Sequence, residues 1–112
     1  MADELDPEDA KLVTLARASL PRATGPREGA AVRDEIGRTY AAASVVAGEL
    51  SLGALEFAIA MAVSSGCTRL EAVAVATAQP LDVSEPVRSA LAALGAPPIL
   101  WADPSGRVVD RA

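Results

Sequence analysis

Few side chains in this sequence could do chemistry, and their types narrow what that chemistry could be. There is one cysteine, Cys67, and no histidine among 112 residues. A single chain therefore cannot assemble a Cys/His zinc site, and the usual general base at neutral pH is missing. Cys67 has no histidine to activate it and reads as an inert small residue. Ser44, Ser51, Ser64 and Ser65 likewise lack a base partner. No group of acids has the spacing that would hold Mg²⁺ or Ca²⁺. What stands out is Glu56, the only charge in the apolar stretch SLGALEFAIAMAVSSG, residues 51–66. As a first-turn glutamate it would gain about 0.3–1 kcal/mol from the helix N-terminus.

The elements that must position these residues follow from local pattern. Asp6-Pro7-Glu8-Asp9 is a helix opening, with a capping carboxylate, proline at the first position and acids in the first turn. Leu12, Leu15, Ala16 and Leu20 would form its apolar face. PRATGPREG, residues 21–29, reads as a loop. Residues 30–45 read as a β-hairpin turning at Asp34-Glu35-Ile36-Gly37. Residues 51–66 read as a helix opened by serine and closed by Gly66. LEAVAVAT, residues 70–77, alternates β-branched residues with alanine, as in a strand covered on both faces. Ser84 would cap a helix that has Pro86 in its first turn and ends at Gly95. PILWADPSGRVV, residues 98–109, reads as two strands around an Asp103-Pro104-Ser105-Gly106 turn. Tyr40 and Trp101 fall in strands, where packing explains them. The order is α-β-β-α-β-α-β-β, an α/β fold with a three-layer α-β-α arrangement around a mixed sheet of about five strands.

Totals bound the class. The length suits one domain, with residues 1–9 as an acidic lead and 10–112 as the domain. Half the residues are hydrophobic but only three are aromatic, so the core must be built from Ala, Val, Leu and Ile. A net charge of −5, with basic residues scattered, offers no surface for nucleic acid. A lone cysteine fits a reducing, cytoplasmic setting. The opening MADELDPEDA lacks the apolar stretch of a signal peptide. No apolar run reaches the roughly 18 residues that span a bilayer.

Several stretches, taken in order, resemble the small homotetrameric cytidine deaminases. EGAAVRDEIGRTYAAASV resembles their VGAALLTEDGRIYTGCNV, and EFAIAMAVSSG resembles their RTAIFKAVSEG. LEAVAVAT matches the strand that follows, and PILWADPSGRVV is similar to their closing VILTNLKGQI hairpin. The likeness runs from about residue 10 to residue 109 and implies the cytidine deaminase-like fold.

The family's catalytic pattern does not carry over. Zinc deaminases use an H/C-x-E…P-C-x-x-C signature, in which zinc lowers the pKa of a bound water and the glutamate moves protons. Ungapped alignment puts Gly53 at the first metal ligand and Leu55 at the glutamate. Ser84 and Val87 fall at the two later cysteines, with Arg88 on the arginine after them. Ser44 and Val46 stand at the nucleoside-gripping N-x-E. A slip of one residue would bring Glu56 to the acid position, but Ala54 to the metal position. It would also rotate every later side chain by about 100°.

The resemblance, with these departures, implies a catalytically inactive protein that is not an enzyme, binds no metal or other cofactor, and has a structural or protein-interaction role. A nucleoside- or nucleotide-binding sensor using the vestigial pocket ranks second, and an active cytidine deaminase third. In the family two helix N-termini converge on the zinc. Here Glu56 would supply negative charge to them, paired with Arg88, or Ser84, Arg88 and backbone N–H groups would hold a small anion. Against the anion site, filling of the pocket by Leu55 and Val87 is the preferred expectation. Relatives bury the matching helix at subunit contacts, so a homo-oligomer, dimer or tetramer, is expected, with room for a further protein partner. Neither nucleic acid nor membrane is expected as a partner.

Overall fold

The computed structural model describes residues 5–111. Helix α1, Pro7–Ser19, begins as its sequence dictates: Asp6 accepts from the Glu8 N–H at 2.8 Å and proline opens the first turn. The boundary expected after residue 9 thus falls inside a helix. Residues 1–4 of the acidic lead lie outside the described residues. A short 3-10 turn, Leu20–Arg22, leads into β1 (Glu28–Asp34), so only the middle of 21–29 is loop.

Strand β1 pairs antiparallel with β2 (Thr39–Ala43) through the expected turn, where Gly37 has φ +87°. Two short strands come next, β3 (Val45–Ala47) and β4 (Leu50–Leu52), forming a separate two-stranded ribbon. This corrects the expectation that Ser51 opens a helix. Gly48, with φ +59°, lets the chain fold back so that Val46 pairs with Ser51. Helix α2 then occupies Ala54–Ser64, followed by β5 (Leu70–Thr77), α3 (Glu85–Ala93), β6 (Ile99–Ala102) and β7 (Val108–Arg111). The main sheet has five strands in the order β2-β1-β5-β6-β7, mixed because only β5 and β6 are parallel.

Strand periodicity divides the core in two. Val73, Val75, Val32 and Ile99 face one way and pack with Leu55, Ile59, Val87 and Leu91 of α2 and α3. Ala72, Ala74, Ala76 and Ala31 face the other way, toward Leu12, Val13 and Ala16 of α1. The alanine face lets α1 lie very close to the sheet. An ideal Cβ on Gly29 would stand 2.1 Å from the Ala16 carbonyl oxygen, so only glycine fits there.

The far end of α2 is tied to the β1–β2 turn. Asp34 is fully buried and accepts from Ile36 N–H, Arg38 N–H and Arg38 Nε, the last at 2.6 Å. Arg38 Nη1 reaches the Ser65 carbonyl at 3.5 Å, and Glu35 accepts from Thr68 and Arg69 N–H groups. Tyr40 donates to Asp34 at 3.4 Å, so this aromatic has a polar role beyond packing. Among the described residues no helix is long and apolar enough to cross a membrane.

Candidate functional site

The helix starts of α2 and α3 meet at the end of the sheet where β1 begins and β5 ends, Glu28 lying opposite Thr77. Between them is a cleft of about 250 Å³. Its apolar walls come from Leu55, Val75, Leu81, Val83 and Val87, and its rim carries Glu28, Glu56 and Asp82. Gly53 and Ser84 also line it, as the N-caps of α2 and α3.

Three N–H groups at these helix starts are already engaged. Glu56 folds back so that its Oε1 accepts from the Gly53 N–H at 3.1 Å, the return half of a capping box. Glycine has no side chain for the other half. Glu28 comes from β1 and accepts from the Ala54 N–H at 3.1 Å. On α3, Ser84 Oγ accepts from the Val87 N–H at 3.4 Å.

The cleft thus brings together Gly53, Leu55, Glu56, Ser84 and Val87, but not Arg88, which is exposed and absent from the lining. No ion pair joins Glu56 to Arg88 among the described residues, because the Glu56 carboxylate is held by its own helix. The anion site expected from Ser84, Arg88 and helix N–H groups is therefore corrected. Arg88 does not line the cleft, several of the donors are capped internally, and the charges that do line it are carboxylates. Leu55 and Val87 are both buried, yet they form walls and leave space between them. Ser44 is also buried, its hydroxyl donating to the Pro26 carbonyl, and Val46 is exposed on β3; neither lines the cleft.

Glu28 and Asp82 were not apparent as site residues from sequence. Glu28 lies in a stretch that reads as loop, and its one signal is a charge directly before the apolar run of β1. Asp82 sits in the β5–α3 connection with no local pattern to mark it.

A model of the cytidine deaminase-like family matches residues 5–106. The chain belongs to that family. Solved structures agree on the fold. Cytidine deaminase from Burkholderia pseudomallei superposes with a TM-score of 0.76 at 22% identity, covering 91% of this chain and 89% of that one. The Mycobacterium leprae cytidine deaminase gives 0.65 at 22%, covering 95% and 94%. The Mycobacterium tuberculosis cytidine deaminase gives 0.64 at 24%, covering 89% and 88%. Among curated proteins there is no match.

This membership corrects the expectation that the chain is not an enzyme. It falls in an enzyme family, and its structural neighbours are cytidine deaminases. The family's zinc does not fit the residues present at the converging helix starts. Gly53, Ser84 and Val87 offer no thiolate or imidazole. Cys67 is buried elsewhere, beyond the end of α2, where burial pushes its thiol above the ordinary value. No metal-holding group of His, Cys, Asp and Glu occurs among the described residues.

Proposed function

We propose that this cytidine deaminase-like protein binds a nucleoside-class small molecule in the cleft between the starts of α2 and α3. The observation that carries the reading is the pairing of apolar walls with a carboxylate rim. Leu55, Val75 and Val87 offer apolar cover for a flat base, while Glu28, Glu56 and Asp82 offer acceptors for an exocyclic amine and for sugar hydroxyls. A volume of about 250 Å³ suits a base better than a whole nucleotide. Three carboxylates without a lining arginine or lysine disfavour a phosphate there.

Methyl-resolved NMR titration tests this. Cytosine or cytidine is expected to shift the Leu55, Val75 and Val87 methyls saturably, and Glu56→Gln and Glu28→Gln to weaken that binding. CMP should perturb the same methyls less. Silence of these methyls toward both cytosine and cytidine would sink the proposal.

Self-association is proposed on a separate observation. Helix α2 leaves Val63 48% exposed, and Leu50 on the β3–β4 ribbon is 55% exposed. A second copy of the chain is the cover we propose for these residues. Sedimentation velocity should show a dimer or tetramer at micromolar concentration, reduced by Val63→Glu; a clean monomer there would exclude it.

A further inference from the structure

On the opposite face of the sheet, α1, the 3-10 turn and the β6–β7 turn enclose a second cleft of about 370 Å³. Its only ionisable lining residues are Arg17 and Arg27. The cleft therefore concentrates two cations and no carboxylate in a chain with 15 acids against 10 bases. Neither arginine forms an ion pair among the described residues, where only Lys11, Arg33 and Arg38 do so.

The two acids next in sequence to this cleft are committed elsewhere. Glu28 follows Arg27, but strand alternation sends its side chain to the other face, where it caps α2. Asp103 precedes the lining residue Pro104. Its Oδ1 accepts from Ser105 Oγ, Ser105 N–H and Arg107 N–H, and these bonds, led by that from Ser105 Oγ, hold the carboxyl below its usual range. Arg17 is also positioned. Its stem lies against Gly106, where an ideal Cβ would come within 3.1 Å of Arg17 Cδ. The C-terminal end of α1 gives Arg17 a partial counter-charge.

We infer that this cleft is a second ligand site, taking a phosphate-class oxyanion between the Arg17 and Arg27 guanidiniums. Guanidinium groups pair with phosphate oxygens through two parallel N–H donors, which suits a dianion held from two sides. The site is independent of the α2–α3 cleft, whose rim has the opposite charge.

The test is an amide-resolved NMR titration of the full chain with inorganic phosphate and, separately, ribose 5-phosphate, at matched ionic strength with chloride as reference. Saturable shifts are expected at Thr14, Arg17 and Arg27. The Arg17→Gln/Arg27→Gln double variant should bind at least about tenfold more weakly. Arg69→Gln, at the other end of the sheet, should bind as the parent does. Tighter binding of ribose 5-phosphate than of phosphate would assign the site to phosphate esters, and equal binding to the bare anion. Absence of saturable shifts at these amides with both ligands overturns the inference. So does a double variant that melts like the parent and binds equally well. The parent titration alone is decisive if the variant fails to fold.

Discussion

Glu28 and Ala54 are joined across the molecule: Glu28 Oε1 accepts from the Ala54 N–H at 3.1 Å although 26 residues separate them. A strand thereby caps a helix, and the same carboxylate lines the cleft. Glu28→Ala should lower stability by about 1 kcal/mol, the usual worth of a helix cap. Glu28→Gln keeps an acceptor and should cost less. Urea unfolding of the two variants checks this, and equal stability of Glu28→Ala and the parent would contradict it.

Asp34 is the clearest source of pH-dependent stability. Burial acts to raise its pKa, but hydrogen bonds from the Arg38 N–H, the Arg38 guanidinium and the Ile36 N–H outweigh burial and hold it below the usual carboxylate range. The unfolded chain therefore takes up its proton first. The contribution of Asp34 is complete above the unfolded pKa of about 3.9 and is lost as pH falls through the lower folded value. Urea midpoints measured from neutral pH into this acid window should fall, and Asp34→Asn should flatten that part of the profile. Asp34→Ala should cost about 2 kcal/mol at pH 7, because it removes hydrogen bonds from two backbone N–H groups and a guanidinium to one buried carboxylate.

Two glycines should respond oppositely to a side chain. Gly29→Ala forces a Cβ into the Ala16 carbonyl, a backbone atom that cannot swing aside, and should cost about 3 kcal/mol. At Gly53 the nearest atom to a Cβ is Glu28 Oε1 at 3.7 Å, an ordinary contact, and the backbone is extended. Gly53→Ser should add a few tenths of a kcal/mol by supplying the missing half of the capping box. Thermal melts of both variants decide the pair; a stable Gly29→Ala would refute the close approach of α1.

Cys67 should resist thiol reagents in the folded protein. It is 7% exposed, and desolvation, followed by the nearby Glu35 and Asp34 charges, raises its pKa. Reaction with a disulfide reagent at pH 8 should be slow until denaturant is added. Rapid labelling of native protein would show that the thiol is accessible.

The sequence by itself determined the elements whose signals are local. Asp6-Pro7 begins α1, Gly37 closes the β1–β2 turn, and Ser84 with Pro86 starts α3, because caps and turns depend on neighbours in the chain. The alternation in LEAVAVAT likewise marked a strand covered on both faces, since period-two patterning needs no partner to be read. One cysteine and no histidine cannot make a Cys/His zinc site within one chain, whatever the fold. Tertiary structure decided the rest. Ser51 belongs to a ribbon rather than a helix because pairing with Val46 outweighs its local cap signal. Glu28 and Asp82 become cleft residues only when β1 is brought beside the end of β5. Arg17 and Arg27 share a cleft because the alanine face of the sheet lets α1 lie close against it. Which charges meet depends on packing between distant segments, and local pattern carries no record of that.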